Sequence, residues 1–280
     1  MNSASPHVAT YLLGKTRLVF GTGRAPRRPG DAKSIHRMRV ASRRLRVGFR
    51  FFGALFPDGE LREILLQLQR VTQALGDVRT LDVNARLLRQ TKRADALTLI
   101  PTLLAERTAR ADNAGVLLEA LRADQFPARV RTLIRDQRRP LSDAQLHDAA
   151  ADRLCALHGT VRKRFDRYRA NGSPRAFHRL RIAAKKYRYA LEASQAVFPE
   201  SATERIAEVA KMQDLLGRCH DLEAVMDWLS GVRGKKPAQH AATLLDVFAE
   251  KYERRRADAE KFLKTSRQFL KGAARSKSGR

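Results

Sequence analysis

Apolar residues recur every three or four positions along most of the chain, which is the spacing of an amphipathic helix. The pattern is clearest at Leu61, Ile64, Leu65, Leu68, Val71 and Leu75. It continues through residues 81–88, 97–104 and 117–121. We find no run that alternates apolar and polar residues as a half-buried strand would. The pattern therefore predicts an all-α protein with roughly eight to ten helices.

Glycine and proline are sparse and mark the breaks between these helices. The predicted loops are residues 21–30, 56–59, 139–140, 171–174 and 198–199. The last ten residues, 271–280, read KGAARSKSGR and are polar and basic. This composition predicts a disordered basic tail that follows a folded domain over residues 5–270.

The chain contains an internal repeat. Residues 35–57 read IHRMRVASRRLRVGFRFFGALFP, and residues 177–199 read FHRLRIAAKKYRYALEASQAVFP. The two segments are offset by 142 positions and are identical at eight of 23. Downstream, LGDVRTLDV at 75–83 matches LGRCHDLEA at 216–224. The repeat predicts two homologous helical halves, about 5–140 and 141–270, related by a pseudo-twofold axis. Its period is too long for a helical solenoid.

The repeated segment places its cations on one face of a helix. At 100° per residue, the first copy aligns the stripe His36, Arg39, Arg43, Arg46 and Arg50. The second copy aligns His178, Arg181, Lys185 and Arg188, with Glu192 in the place of Arg50. The opposite faces are apolar, so each helix is expected to pack in a bundle and turn its stripe towards solvent or a shared cleft. Glu192 is expected to pair with Arg188 one turn back.

The charge of the chain points to a polyanionic partner. Lysine and arginine number 56 against 29 aspartates and glutamates, a formal net charge of +27. Such an excess is most easily understood if a polyanion neutralises it. The stripes carry almost no carboxylate at i±4, so their cations are not paired along the helix. An arginine fork can bind phosphate oxygens in two places, and successive stripe residues rise by about 5 Å, close to the spacing of phosphates in a linear chain.

Several function classes are disfavoured. The chain has two cysteines without metal-ligand spacing, which favours reduced thiols and a cytoplasmic protein. No apolar run is long enough to span a bilayer, so we expect no membrane partner. The sequence contains no phosphate-binding GxxxxGK[ST] loop, and the stripes lack carboxylates that could hold Mg²⁺. We therefore expect no enzymatic activity, no cofactor and no metal site. A sequence-nonspecific nucleic-acid-binding protein remains the alternative, although no aromatic residues interleave with the stripes. The sequence leaves the oligomeric state open.

The paired segments IHRMRVASRRLR and FHRLRIAAKKYRYALE closely resemble the two signature helices of the CHAD domain family, the conserved histidine α-helical domain. The two LG segments resemble those that follow the signature helices in that family. The resemblance implies two four-helix bundles related by a pseudo-twofold, with a basic central groove or pore that binds long-chain inorganic polyphosphate. It also implies association with polyphosphate granules in some members. The fused triphosphate tunnel domain of some relatives, with its ExExK motif, has no counterpart here.

The resemblance assigns phosphate contacts residue by residue. It implies that the nine stripe residues, His36, Arg39, Arg43, Arg46, Arg50, His178, Arg181, Lys185 and Arg188, bind polyphosphate. Weaker candidates are Arg17, Arg37, Arg44, Arg79, Arg162 and Lys186. His220 replaces the basic residue matched by Arg79, and Thr80 stands where the second copy has Asp221. We therefore expect an ion pair at that position in only one half.

Overall fold

The computed structural model describes residues 6–21, 32–136, 141–198 and 203–265, and within these ranges the chain is all-helical. The helices are α1 Pro6–Phe20, α2 Ala32–Phe51, α3 Asp58–Gln90, α4 Ala94–Ala123, α5 Phe126–Arg135, α6 Asp143–Asn171, α7 Pro174–Ser194, α8 Thr203–Ser230 and α9 Lys235–Thr265. A short 3₁₀ helix, Gly53–Leu55, links α2 to α3. The predicted all-α class is confirmed. The predicted tail at 271–280, the loop at 139–140 and most of the loop at 21–30 lie outside the described residues.

The break between α6 and α7 shows how local sequence places a signature helix. Gly172 adopts the left-handed conformation (φ 58°) that ends α6, a backbone geometry in which glycine carries no Cβ penalty. Ser173 then caps α7 by accepting a hydrogen bond from the backbone N–H of Ala176, and Pro174 occupies the first helical position. The predicted loop at 171–174 is thus a tight turn that starts α7 four residues before His178.

The apolar face predicted for each signature helix is buried. In α2, Leu45 and Phe49 are fully buried, and in α7, Leu180 is fully buried and Tyr187 nearly so. Gly48 allows α1 to approach α2 closely, because a Cβ at this position would lie 2.9 Å from atoms of Tyr11 and Leu12. Each stripe is therefore held away from the interior of its own half.

The buried apolar residues within the described ranges form three clusters. The first joins α1, α2 and the beginning of α3 to the end of α4 and to α5. The second joins α6, α7, the beginning of α8 and the end of α9. The third is built from the end of α3, the beginning of α4, the end of α8 and the beginning of α9. Because this third cluster is shared by both halves, the division into two separate four-helix bundles stays a prediction.

The halves also interlock along the signature helices. Leu146 and Ala150 of α6 and Ala190 and Ala193 of α7 pack into the first cluster, although they belong to the second repeat. Helix α2 packs against α7, α3 against α8 and α4 against α9, so corresponding helices of the two halves meet in pairs. This pairing brings the two cationic stripes to the same region of the molecule. None of the described helices is long and apolar enough to cross a membrane.

One buried ion pair supports this arrangement. The Nε of Arg107 on α4 donates to Oδ1 of Asp82 on α3 at 2.9 Å, and their side chains are only 1% and 7% exposed. Asn84 of α3 donates to the backbone carbonyl of Ala224 on α8 at 3.4 Å, across the boundary between the halves. These polar contacts fix the end of α3 beside α8, where the groove described next is formed.

Candidate anion-binding groove

The two stripes converge where α2 packs against α7. The pKa of Lys185 falls to about 6, because partial burial and the charges of Arg43, Arg181 and Arg39 all disfavour its ammonium form. The pKa of Arg39 falls to about 10, mainly through burial and then through Arg43. Arg43 of the first stripe thus acts on both Arg181 and Lys185 of the second, and it also lowers the pKa of Arg46. We call Arg39, Arg43, Arg46, Arg181 and Lys185 the cationic cluster.

Three arginines of this cluster have a buried Nε atom without a hydrogen-bond partner among the described residues: Arg39, Arg46 and Arg181. Arg181 is only 8% exposed. The Nε of Arg39 lies 3.6 Å from the position that a Cβ on Gly76 would occupy, so the guanidinium packs against the glycine of α3. A buried donor on a charged group is costly when unpaired, and an anion entering the cluster would satisfy all three.

The stripe histidines lie at the exposed end of the cluster. The pKa of His36 is lowered by partial burial and by Arg79 and Arg39, and the pKa of His178 is lowered by partial burial and by Arg181 and His220. Both imidazoles are thus biased towards the neutral form in the free protein. An arriving anion would reverse this bias and allow both ring nitrogens to donate.

A cavity of about 1280 Å³ extends from His36 and Arg39 along α3, α8 and α9. It is lined by the predicted Arg79 and by five cations that sequence reasoning missed: Arg86, Arg218, Lys251, Arg254 and Arg255. Four of these five residues could have been suggested by the sequence. Arg86 lies two helical turns after Arg79, and Lys251, Arg254 and Arg255 belong to the basic run KYERRR at 251–256. We call the cationic cluster and this cavity together the groove.

The groove contains carboxylates, and four of the arginines that line its cavity form ion pairs: Arg86 with Asp221, Arg218 with Asp214, Arg254 with Glu250, and Arg255 with Asp258. Asp221 lies 3.9 Å from Arg86, and Thr80 at the equivalent position of the first half donates to the carbonyl of Gly76 in its own helix. The predicted ion pair in only one half is therefore confirmed. Burial raises the pKa of Asp221, although the surrounding cations oppose this shift. Arg218 pairs with Asp214 at 2.7 Å on the exposed surface, where such pairs contribute little.

The second stripe ends in an internal ion pair. Glu192 accepts from Nε of Arg188 at 3.1 Å, as predicted, and also from Nε of Arg44 at 2.6 Å. Arg44 comes from the other half and lines a separate pocket beside α1 with Tyr11 and Lys15. Arg188 and Arg44 are therefore already paired with a carboxylate, in contrast to Arg39 and Arg181.

The remaining predicted residues lie at the margins. Arg50 is exposed at the end of α2, one turn from Arg46, and its charge lowers the pKa of Arg46 after the larger effect of burial. Arg37 is exposed and donates to Oγ of Ser34 in its own helix. The other three weaker candidates, Arg17, Arg162 and Lys186, are exposed and do not line the described cavity.

The structure also brings together three groups that the sequence did not connect. His178, His220 and Glu223 each offer one ligand atom, and these atoms lie within 4.8 Å of one another. His220 Nδ1 is 3.4 Å from Oε2 of Glu223, and Tyr252 donates its hydroxyl to Oε1 of the same carboxylate at 3.1 Å. Because 42 residues separate His178 from His220 in the chain, no local spacing marks this cluster.

The comparisons with known proteins agree with this architecture. A family model described as the CHAD domain matches residues 22–230. The crystal structure of the CHAD domain from the plant Ricinus communis superposes with a TM-score of 0.76 at 23% identity, covering 98% of this chain and 93% of that chain. PptA from Streptomyces chartreusis superposes with a TM-score of 0.61 at 16% identity, covering 94% and 99% respectively. No curated protein matches the chain. At these identities the structural likeness is evidence of the fold.

Proposed function

The chain belongs to the CHAD domain family, and from this premise we propose that it binds inorganic polyphosphate in the groove without hydrolysing it. The observation that carries the proposal is the unpaired state of the cationic cluster. Arg39, Arg46 and Arg181 each bury an Nε atom without a hydrogen-bond partner among the described residues, and Lys185 is partly buried beside them. A flexible chain of phosphates supplies an acceptor at every step and neutralises the cations of both halves together.

The shape of the groove supports a linear polyphosphate as the ligand. The cluster lies between α2 and α7, and the cavity continues from it along α3, α8 and α9. Stripe residues one turn apart differ by about 5 Å in height, so consecutive turns meet different phosphates of one chain. Arg79, Arg86 and Arg218 extend the cationic path beyond the signature helices. The bound segment is therefore expected to contact both halves.

Nucleic acid is the competing ligand, and the cluster disfavours it. The unpaired Nε atoms are buried, so a ligand must reach them with phosphates alone. The bases and sugars of a duplex keep its phosphates on a wide rigid surface. The ring of Tyr189 lies under the guanidinium of Arg43, with 5.8 Å between the ring centroid and the guanidinium carbon, and is buried, so it is not free to stack on a base.

The absence of catalysis is part of the same proposal. Glu223 is engaged by His220 and Tyr252, and Asp221 is embedded among cations, with Arg86 at 3.9 Å. Neither arrangement resembles a pair of carboxylates that hold Mg²⁺ beside a phosphate. We expect no phosphate release from polyphosphate in the presence of Mg²⁺. In the cell, we expect a cytoplasmic protein that associates with polyphosphate granules.

A binding titration tests the proposal. Purified protein is titrated with polyphosphates of several lengths at fixed salt, with duplex DNA as competitor at equal phosphate concentration. We expect tight binding that DNA does not displace. Reversing charge in Arg43→Glu/Lys185→Glu is expected to weaken binding by about 100-fold or more, since both side chains lie at the centre of the cluster.

The matched control is Arg37→Glu/Lys186→Glu, which makes the same charge change at exposed positions of the same two helices. It is expected to retain most of the affinity, because Arg37 and Lys186 are exposed and neither is among the cations that lower the pKa of Lys185 in the cluster. Equal losses in the two double variants would mean that net charge, and not the groove, determines binding. Displacement by DNA at equal phosphate would favour the nucleic-acid function.

A further inference from the structure

A second cavity lies beside α1, apart from the groove. Its volume is about 580 Å³, and none of the residues that line it also lines the cavity of the groove. Its charged lining comes from three helices, with Lys15 on α1, Arg44 on α2 and Glu192 on α7. Ala196 and Ile206 supply apolar surface. A cavity of this size and mixed lining is typical of a site for a small organic molecule.

Glu192 orients Arg44 and leaves its outer nitrogens available. The Nε of Arg44 donates to Oε2 of Glu192 at 2.6 Å, and the Nε of Arg188 donates to Oε1 at 3.1 Å. Neither Nη group of Arg44 donates to a residue within the described ranges. An arginine held through one nitrogen presents its remaining N–H groups to an anion. Arg44 can therefore bind a ligand without losing its carboxylate partner.

Lys15 is a second cation of this cavity, and it forms no ion pair with a carboxylate of the described chain. Its Nζ lies 5.1 Å from the centroid of the Tyr11 ring, one helical turn back. Both oxygens of Glu192 are already engaged by arginines. Partial burial and the charge of Arg44 lower the pKa of Lys15, and Glu192 opposes this shift. A bound anion would relieve the repulsion between Lys15 and Arg44.

The hydroxyl of Tyr11 is a third donor of the cavity. It is buried and has no hydrogen-bond partner among the described residues, whereas a buried phenol ordinarily finds one. Burial raises the pKa of Tyr11, so the hydroxyl keeps its proton. Because Lys15 lies over the Tyr11 ring, movement of the Lys15 side chain towards a bound anion would open the hydroxyl to the same ligand.

The internal repeat shows that the fold does not require the two donors of α1. Helices α1 and α6 correspond at an offset of 145 positions, so Tyr11 and Lys15 correspond to Ala156 and Thr160. Neither replacement carries a charge or an aromatic ring. The pair on α1 is therefore specific to the first half.

We propose that the cavity beside α1 binds one small organic carboxylate through Lys15, Arg44 and Tyr11. The lysine, the arginine and the glutamate of its lining together carry one net positive charge, which suits a monoanion better than a phosphate dianion. The apolar surface of Ala196 and Ile206 suits the carbon body of the acid. A linear polyphosphate needs a cation at each step, and the described lining offers it only one lysine and one arginine. The site does not depend on the polyphosphate groove.

The test is a titration of the full chain with benzoate labelled with ¹³C at its carboxylate, followed by NMR at fixed salt and without polyphosphate. We expect saturable binding of one benzoate per chain and no displacement by benzamide, which has nearly the same shape without the charge. Lys15→Met is expected to lower the affinity at least about tenfold, because it removes a charged donor. Tyr11→Phe is expected to act in the same direction. It should leave the free energy of unfolding of the ligand-free protein unchanged, since the hydroxyl has no partner among the described residues to lose.

The matched control is Lys211→Met, which removes an exposed lysine whose Nζ lies 5.3 Å from the centroid of the Phe262 ring, outside the cavity. It is expected to leave the affinity for benzoate unchanged. Circular dichroism verifies that each variant retains its helices, and Tyr11→Phe, which removes a single oxygen, decides the outcome if Lys15→Met does not fold.

Three results would overturn the proposal. The first is the absence of saturable benzoate binding, or equal affinity in the unmodified, Lys15→Met and Tyr11→Phe chains. The second is displacement of benzoate by added polyphosphate, which would make the cavity part of the groove. The third is binding of phenyl phosphate that is tighter than that of benzoate and is lost in Lys15→Met. Because the first titration contains no polyphosphate, its failure and the failure of polyphosphate binding are separate results.

Discussion

Binding of polyphosphate should be accompanied by uptake of a proton at Lys185. In the free protein the pKa of Lys185 is about 6, because partial burial and the charges of Arg43, Arg181 and Arg39 disfavour the ammonium form. At pH 8 such an amine is only about 1% protonated. A polyanion placed in the cluster replaces a repulsive field with an attractive one, and so moves the pKa back towards the ordinary value of about 10.4.

The size and sign of the effect follow from this shift. Between the free pKa near 6 and the bound pKa, the complex holds one more proton than the free protein at Lys185. Binding therefore weakens as pH rises through this window, by up to about tenfold per pH unit, or about 1.4 kcal/mol. Below pH 6 the lysine is protonated in both states and contributes no pH dependence. Burial and neighbouring cations also lower the pKa values of His36 and His178, so binding is expected to favour their protonated forms as well, and a variant at Lys185 is needed to isolate the proton of the lysine.

Calorimetry measures this proton directly. The titration is repeated at pH 8 in buffers of different ionisation enthalpy, at constant salt, and the dependence of the observed heat on the buffer gives the number of protons taken up. We expect the unmodified protein to take up about one proton more than Lys185→Met. Lys186→Met, at the exposed neighbouring position, should behave like the unmodified protein. Equal uptake in the unmodified protein and in Lys185→Met would refute the assignment of a neutral lysine to the groove.

Two further predictions concern ion pairs. Glu192→Gln removes the carboxylate that holds Arg44 and Arg188. The affinity for polyphosphate should therefore rise about three- to tenfold in a fixed-salt titration. A loss of affinity would show that Glu192 is needed to position these arginines. Arg107→Met leaves the buried carboxylate of Asp82 without its cation. The free energy of unfolding measured in urea should therefore fall by about 3–5 kcal/mol. A change below about 1 kcal/mol would mean that the ion pair contributes little to stability.

The sequence was sufficient for the features that depend on local periodicity. The spacing of His36, Arg39 and Arg43 fixes one face of a helix, and the recurrence of the pattern in α7 marks it as more than a solvated surface. The turn at Gly172 was likewise evident from local residue preferences. The pairing of Arg188 with Glu192 followed from their i,i+4 spacing and is confirmed.

What the sequence could not supply depends on contacts between distant segments. Glu192 also binds Arg44, 148 residues away, and no helical periodicity connects the two. The cations of α9, such as Lys251, reach the cavity only because the ends of α3 and α8 share a hydrophobic cluster with the beginning of α9. Helix α5 has no counterpart in the second half among the described residues, so the repeat gave no reason to expect it.

The interlocking of the two halves has a consequence for how such a protein can arise. Leu146 and Ala193 of the second repeat are buried in the first cluster, so a polypeptide with only one copy would lack part of its own interior. It would hold its shape only by associating with an identical molecule that supplied the missing side chains. Joining two copies in one gene removes the requirement for identity between them. Arg79 and His220 illustrate the result, since a symmetric homodimer could carry only one of these residues at that place.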